Sequence, residues 1–391
     1  MKVPADLAYF DDEGVGAAAW ALAVAAADAC TDAVRSTRET NEALRRTVRA
    51  LGDAGVLRLV VGARDGGVHE TVRSLALAAA RERLAHTSPL ADLAFAMQGL
   101  GSYPLTLAGA GATRSAWLPR VAAGTAVAAI ALTEPEAGSD LGNAQTRATK
   151  RGSEFALDGE KVFISNAGVA DFYTVLARTG DDAEKRKFSA FVVPADAKGL
   201  TVTPTAVLGE HPIGRLTFRD VRVSETALLG GIGDGMSIAL GTLHRFRTTV
   251  GAAAVGFAAR ALDETRAHVL ARTQFGAPLA ELQAVQLRLA DMAAETESSR
   301  LLVYRAARLL DSGIDRETQA YASSMAKYCA TESAQRVIDH AVQLHGGRGV
   351  DRSHVIAQLY DEVRSLRIYE GTSDVQRLLI ARGVLAHNRG G

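Results

Sequence analysis

The sequence predicts an α+β protein with an N-terminal helical domain, a central antiparallel β-barrel-like domain and a C-terminal helix bundle. Three observations support this: apolar residues recur at helical spacing up to about residue 122, alternate as in strands from there to residue 224, and then enter a part almost free of proline. We place the domains at residues 1–122, 123–224 and 225–391. A chain of 391 residues, 48% of them hydrophobic, is long enough for two or three such cores.

Helical spacing in the first part comes in pieces. Leu44, Val48 and Leu51 fall on one face before Gly52 interrupts the pattern. The segment "TVRSLALAAARERLAH", residues 71–86, then predicts another helix.

The central part contains short β-rich segments separated by turn residues. In "SEFALDGEKVFIS" the pair Asp158–Gly159 predicts a two-residue hairpin turn. The segments "FYTVLART", "FSAFVVPA", "GLTVTPTAVLG" and "RLTFRDVRV" follow. We therefore expect an antiparallel sheet that ends near Ser224.

The C-terminal part can form long helices because Pro278 is the only proline after Pro212. Apolar residues there form two stripes typical of a bundle. The stripes consist of Leu282, Val285, Leu289, Met292, Val303 and Leu310, and of Met325, Cys329, Val337, Ala341 and Leu344.

Composition argues against nucleic-acid and membrane partners. Forty-four basic residues balance forty-four acidic ones, so no net charge attracts nucleic acid or an anionic surface. The two cysteines, Cys30 and Cys329, have no metal-ligand spacing and suggest small core residues in a reducing compartment. The alanine-rich run 16–30 is too short to span a bilayer and contains Asp28, which favours a cytoplasmic protein.

Several common catalytic motifs are absent or weak. No GxSxG nucleophile elbow occurs, and "GGIGDG" at residues 230–235 lacks the surrounding βαβ unit of a dinucleotide loop, so it is more simply a surface turn before a helix. His340 and His345 are five residues apart, which does not place two metal ligands on one helical face. They are more simply cations near a helix C-terminus, and we predict no metal site.

Two segments carry more information. "ALTEPEAGSDLGNA", residues 131–144, runs from a strand into a polar loop that could hydrogen-bond a heterocycle and a pyrophosphate, although an ordinary turn is an equal alternative. "LRIYEGTSDVQR", residues 366–377, places Glu370 where a helical pattern stops and a Gly-Thr-Ser turn begins.

Five strings, taken together and in order, resemble the acyl-CoA dehydrogenase family. They are "ALTEPEAGSDL", "GEKVFISNAG", "ARTQFGAPLAELQAVQLRLADM", "QLHGGRGV" and "IYEGTSDVQR". The resemblance covers nearly the whole chain and implies an FAD-dependent oxidoreductase that introduces an α,β double bond into an acyl thioester. It also implies that Glu370 is the base for the α-proton and that N5 of FAD accepts the β-hydrogen.

The resemblance carries further residues with it. It implies that the flavin contacts Leu132, Thr133, Gly138, Ser139, Phe163, Ile164, Ser165, Thr372 and Asp374. The adenine and pyrophosphate end of an FAD held by a neighbouring subunit would contact Arg272, Gln274, Phe275, Gln283, Gln343, Leu344, Gly346 and Gly347. The substrate would contact Ser139, His244, Arg247, Tyr369 and Gly371. A homotetramer and an electron-transfer flavoprotein as electron acceptor are implied as well.

Departures from the family pattern leave the substrate open. His244 replaces a frequently acidic residue, Asp361–Glu362 replaces an Arg-Asp pair, and the loop "GEHPIGRL" is short. A short or medium acyl-CoA is the first choice, and an acyl group on a carrier protein is the alternative. An oxidase, a monooxygenase or a non-catalytic helical interaction protein also stays possible at this stage.

Overall fold

The structure is a computed structural model that describes residues 3–37, 39–181, 184, 186–209 and 211–386, except for the side chains of Asp6 and Ala386. The predicted order of helices, then strands, then helices is confirmed. The exact domain boundaries stay a prediction.

Helices account for both ends of the described chain. The N-terminal ones are α1 (Val15–Arg35), α2 (Thr40–Asp53), α3 (Ser74–Thr87), α4 (Pro89–Ala108) and α5 (Gly111–Ala122). The C-terminal ones are α6 (Gly235–Ala271), α7 (Gln283–Asp311), α8 (Arg316–His345), α9 (Val355–Leu366) and α10 (Ser373–Ala386). The long helices α6, α7 and α8 fit the scarcity of proline in this part of the chain.

Strands form a central sheet and one small hairpin. The sheet contains β1 (Ala128–Ala131), β2 (Arg147–Arg151), β3 (Glu154–Ser165), β4 (Phe172–Arg178), β5 (Phe188–Pro194), β6 (Leu200–Pro204), β7 (Ile213–Ser224) and β8 (Leu228–Leu229). The hairpin pairs β9 (Thr273–Gln274) with β10 (Ala277–Pro278). The sheet order is β6-β7-β3-β2-β4-β5-β8, and β1 pairs with β4. Most pairs are antiparallel as predicted, but β4 runs parallel to both β1 and β2.

The predicted hairpin turn at Asp158–Gly159 is wrong. β3 runs unbroken through both residues and has a register shift against β7 between Leu157 and Gly159. A Cβ at Gly159 would lie 2.6 Å from Thr146 Oγ1, so the glycine permits a close approach of the backbone. The Asp158–Gly159 pair therefore marks a β-bulge in β3, not a hairpin turn.

The chain forms two compact units. The first unit comprises Met1–Val24, Ser74–Asp92 and Arg247–Gly391, and the second comprises Ala25–Arg73 and Leu93–Phe246. In the first unit the predicted stripe residues Val285, Met292, Val303, Leu310, Val337 and Ala341 are buried, whereas Leu282 is 38% exposed. In the second unit the sheet has a core of residues such as Phe155, Tyr173, Phe191 and Phe218.

Helix α1 corrects the estimate of length made from the sequence. It has 21 residues, so by length and composition it could cross a membrane. Ala19, Trp20, Ala23, Ala26 and Cys30 are nonetheless buried at helical spacing, as in a core helix of a globular protein. Cys30 is therefore a core residue as predicted, and Cys329 is only half-buried.

Candidate active site and cofactor-binding residues

Glu370 lies in the turn between α9 and α10, in the left-handed backbone region. Its φ is 53° and that of Gly371 is 95°. The carbonyl of Gly371 accepts hydrogen bonds from Lys327 Nζ at 2.7 Å and from Gln376 Nε2 at 3.0 Å. Left-handed φ values are costly for a non-glycine residue, so these bonds hold the turn in a conformation that local sequence alone would not adopt.

The Glu370 carboxylate is buried, with the side chain 6% exposed, and neither oxygen has a hydrogen-bond partner. Burial raises the pKa of Glu370 above its usual value, and the positive charges of Arg81, Lys327 and Arg247 oppose that rise. A buried carboxylate without hydrogen bonds is rare, because burial of an unpaired acceptor is costly. Its oxygens are therefore available to a ligand's proton.

Arg81 supplies the nearest positive charge. Its Nη1 lies 4.0 Å from Glu370 Oε1. Its guanidinium hydrogen-bonds to both Asp92 oxygens, at 2.7 and 3.3 Å, and to Thr249 Oγ1 at 2.9 Å. Sequence analysis missed Arg81 and Asp92. A signal was present, since Leu77, Arg81 and Leu84 share one helical face, and a charge on such a face indicates a buried partner.

Arg247, a predicted substrate-binding residue, belongs to the same cluster as Glu370. Its Nε is buried and has no hydrogen-bond partner among the described residues. Burial lowers the pKa of Arg247, while the charge of Glu370 counteracts that shift. The predicted substrate residues Tyr369 and Gly371 flank Glu370 in the chain.

Arg367 lies close to Glu370 in sequence but does not form an ion pair with it. Such a pair would have given the Glu370 carboxylate a structural role. Arg367 Nε and Nη2 instead bond Glu332, each at 2.8 Å. Ser373 Oγ also donates to Glu332 at 2.6 Å. Glu332 therefore stabilises this turn through Arg367 and Ser373, and Glu370 does not take part in these bonds.

In the second unit, the polar loop that follows β1 is fastened to β3. Val162 N donates to Thr133 O at 2.9 Å, and Lys161 Nζ donates to Leu132 O at 2.9 Å and to Glu134 Oε1 at 2.8 Å. Glu134 also accepts from the backbone N–H groups of Gln145 and Thr146. These bonds bring the predicted flavin residues Thr133 and Phe163 to neighbouring positions.

The flavin residues predicted on this loop and on β3 differ in exposure. Phe163 has φ of 56° and is 63% exposed, and Gly138 and Ser139 are exposed as well. The Ile164 side chain, only 2% exposed, packs in the sheet core, so its side chain cannot contact a flavin. An exposed aromatic ring beside hydroxyl groups and an open glycine, which has nothing within 4 Å of a Cβ position, fits a flat heterocycle.

In the first unit, the predicted adenine and pyrophosphate residues form two adjoining segments. Arg272, Gln274 and Phe275 lie in the exposed β9–β10 hairpin, where Phe275 has φ of 54° and Gly276 has φ of 85°. The His268 ring, near the end of α6, stacks on His345, the last residue of α8, with centroids 4.3 Å apart. That stacking places the hairpin near the segment 343–347. Gly346 and Gly347 are exposed with open space at their Cβ positions, which suits close approach of a phosphate.

His345, at the end of α8, is not the cation predicted from the sequence. Burial lowers the pKa of His345, and its Nδ1 lies 2.8 Å from Ala341 O. His345 is thus neutral at pH 7 and stacked. Residues 230–234 form the turn between β8 and α6, and Gly235 begins α6, as the simpler interpretation of "GGIGDG" predicts.

Other predicted residues have identifiable local roles. Thr372 Oγ1 accepts from Val375 N at 3.3 Å and so caps α10, while Asp374 is exposed in its first turn. Gln283 begins α7 and is exposed, as is Gln343, and Leu344 and Ser165 are half-buried. His244, on α6, belongs to the second unit.

Backbone strain coincides with the predicted site. In the described part of the chain, five non-glycine residues have positive φ, and three of them are predicted site residues: Phe163, Phe275 and Glu370. Unfavourable backbone conformations concentrate at ligand-binding and catalytic sites. The coincidence therefore supports the residue assignments independently of sequence motifs.

Comparison with known proteins identifies the class to which this fold and these strained turns belong. Residues 21–125, 129–221 and 233–385 match the N-terminal, middle and C-terminal domains of acyl-CoA dehydrogenases. The probable acyl-CoA dehydrogenase YngJ of Bacillus subtilis is 36% identical over 353 residues, which cover 89% of this chain and 91% of the relative. The protein belongs to the acyl-CoA dehydrogenase family.

Similarity to solved structures supports the same assignment. Butyryl-CoA dehydrogenase from Megasphaera elsdenii superposes with a TM-score of 0.86 at 29% identity, covering 95% of this chain and 98% of that one. PigA with FAD and proline gives a TM-score of 0.83 at 27% identity, covering 95% and 97%. The protein is an oxidoreductase that acts on CH–CH groups with FAD as cofactor, as predicted.

Proposed function

We propose that the protein introduces an α,β double bond into an acyl thioester, with Glu370 as the base. The observation that carries the proposal is the Glu370 carboxylate, which is buried, without hydrogen bonds and surrounded by Arg81, Lys327 and Arg247. A carboxylate in such a place can take a proton from a weak carbon acid, because no donor among the described residues competes for its oxygens.

The chain's own part in the reaction follows from this geometry. Glu370 removes the α-proton, and Lys327 fixes the turn through the carbonyl of Gly371. Arg247, whose Nε is unpartnered, lies in the same charged cluster and is a candidate to orient the substrate. FAD, when bound, supplies the acceptor for the β-hydrogen as hydride.

Cofactor binding is assigned by proposal to both units. Thr133, Ser139, Phe163 and Ser165 of the second unit would hold the flavin by hydroxyl groups and an exposed ring, together with backbone groups of Leu132, Gly138 and Ile164. In the first unit Arg272 would pair with the pyrophosphate of an FAD held by a neighbouring subunit, since a guanidinium binds phosphate oxygens bidentately. Gln274, Phe275, Gln283 and residues 343–347 would complete that contact, and Thr372 and Asp374 would face the flavin.

A short or medium acyl-CoA is the proposed substrate. The Arg81–Asp92 ion pair and Thr249 lie beside Glu370, and burying a long alkyl chain against these polar groups would be unfavourable. An acyl group on a carrier protein is the second candidate, because His244 and Asp361–Glu362 depart from the family pattern.

Anaerobic titration of the FAD-loaded protein with saturated thioesters tests the proposal. We expect butyryl-CoA or octanoyl-CoA to bleach the oxidised flavin, and a palmitoyl thioester to do so poorly. Bleaching only by the same acyl groups on a carrier protein would select the second candidate. A flavin that stays oxidised with every thioester would refute dehydrogenation.

We further propose an electron-transfer flavoprotein as the electron acceptor, in a cytoplasmic homotetramer. The two cysteines are free and form no redox cluster, which favours an external acceptor for the electrons of the reduced flavin. Phe275 and Val350 of the first unit are 96% and 71% exposed, which favours cover by another protomer. Light scattering after gel filtration tests the tetramer. Reoxidation of the reduced flavin by dioxygen as fast as by the flavoprotein would instead indicate an oxidase.

A further inference from the structure

Arg81 is close to Glu370 and yet bound to other groups. The distance of 4.0 Å between Nη1 and Oε1 is too long for a hydrogen bond but short enough for a strong charge interaction. The Arg81 side chain is only 2% exposed, so water screens that interaction little.

The position of Arg81 is fixed from the opposite side. Its Nε, Nη1 and Nη2 donate to Asp92 and Thr249. A planar guanidinium held at all three nitrogens cannot swing to pair directly with Glu370. The network thereby keeps a positive charge beside the carboxylate while leaving both carboxylate oxygens without a bond.

We infer that Arg81 is a positioning residue of the proposed reaction, which keeps the buried Glu370 ionised and free of hydrogen bonds until a thioester binds. The inference rests on the proposed role of Glu370 as the base. It assigns a function to a residue that lies in helix α3, far from the catalytic turn in sequence.

Charged and titratable groups from several elements face Glu370: Asp92 on α4, Arg247 on α6, Lys327 on α8 and Tyr369 in its own turn. Burial lowers the pKa of Lys327 to about 8, so Lys327 loses charge at mildly alkaline pH. A guanidinium keeps its charge throughout that range. As pH rises, Arg81 therefore keeps its positive charge beside Glu370, whereas Lys327 loses its own.

The test is the pH dependence of flavin reduction by a saturated thioester, measured by stopped flow under anaerobic conditions. In Arg81→Met we expect the acidic midpoint to move up by roughly 1–3 pH units, because an opposite charge at this distance lowers a carboxyl pKa by about that amount. Reduction at pH 7 should fall at least about tenfold and recover partly as pH rises. Arg81→Lys should restore most of the shift.

A second readout needs no turnover. The infrared band of the protonated Glu370 carboxyl, identified by its absence from Glu370→Gln, should titrate at higher pH in Arg81→Met than in the wild type. If Arg81→Met does not fold, Asp92→Asn replaces it. Removal of the Asp92 charge should move the midpoint down, because that charge raises the pKa of Glu370. A midpoint that stays in place or rises would count against the inference.

Arg300→Met is the matched control, since Arg300 is also buried and also paired with a carboxylate, Glu82. It should lower stability without moving the midpoint. An unchanged midpoint and infrared band in Arg81→Met, together with an inactive Glu370→Gln, would overturn the role of Arg81 and leave the proposed function standing. Wild-type reduction in Glu370→Gln would instead overturn the proposed role of Glu370 as the base, on which the inference rests.

Discussion

Two buried glutamates of the first unit, Glu82 and Glu370, have opposite surroundings. Glu82 is fully buried, and each oxygen has a partner: Arg300 Nε at 2.8 Å and Tyr304 Oη at 2.7 Å. Glu370 is nearly as buried, but both of its oxygens are without one. Its nearest cation stands 4.0 Å away. A carboxylate with satisfied oxygens ties helices together, whereas one with open oxygens can exchange a proton.

Glu134 in the second unit belongs with Glu82. It accepts from Lys161 and from two backbone N–H groups, and it holds the loop after β1. Charge interaction and hydrogen bonds from these groups outweigh burial and lower the pKa of Glu134. We therefore propose that satisfied buried carboxylates are structural here and that the open one, Glu370, is catalytic.

Glu370→Gln should have the largest effect. It keeps the side-chain volume and removes the charge that accepts the α-proton. A general base contributes roughly a hundredfold to ten-thousandfold in rate, and we expect a loss in the upper part of that range. Stopped-flow bleaching by a reducing thioester at equal FAD occupancy measures it. Bleaching within about tenfold of the wild type would remove Glu370 from its role.

Glu82→Gln should affect stability and leave chemistry intact. It leaves Arg300 buried and without its main partner, and removing one member of a buried ion pair costs about 3–5 kcal/mol. Urea unfolding measures the loss. Glu297→Gln is the matched control, because Glu297 pairs with the same arginine from a side chain that is 53% exposed, and it should cost less than about 1 kcal/mol. Equal losses in both variants would contradict the comparison.

Glu370 and its neighbour Arg247 could be predicted from the sequence as site residues, whereas Arg81 and Lys327 could not. A helical pattern that stops before Gly371 signals a turn, and a resemblance of motif supplies the role. Arg81 and Lys327 reach Glu370 only through the packing of α3 and α8, and no local pattern encodes such long-range approach. The sequence pattern indicates that Arg81 lies on a buried helix face, but it does not indicate which residue pairs with Arg81.

The error at Asp158–Gly159 has a similar cause. The dipeptide satisfies the rule for a hairpin, and the local sequence favours a turn. The structure instead uses the glycine for contact with Thr146 from another strand. Glycine has two uses, conformation and close approach, and only tertiary contacts distinguish them.

Gly371→Ala should have a smaller effect on stability than Glu82→Gln. At φ of 95° an alanine is strained by about 1–2 kcal/mol, and its Cβ would lie 2.3 Å from Gln376 Nε2. Because Gly371 carries the carbonyl that Lys327 holds, flavin reduction should also slow. Gly313→Ala is the control: its φ is 73° and nothing lies within 4 Å. It should lose similar stability and keep the wild-type reduction rate, and a slowed control would mean that unfolding, not the turn, limits the rate.

The smallest expected effect is the pH dependence of stability in Glu370→Gln. Burial raises the folded-state pKa of Glu370 above its unfolded value of about 4.5, so between those two values the folded protein binds more protons than the unfolded one. The Glu370 contribution to stability is therefore fully present below the unfolded pKa and is lost as pH rises through the folded pKa. Glutamine has no such dependence. The melting temperature of the variant, relative to the wild type, should consequently rise as pH increases from about 4.5 to neutrality. Were Glu370→Gln instead to lose stability relative to the wild type as pH rises, the carboxylate would be a stabilising ion-pair partner, and the contrast between the two glutamates would fail.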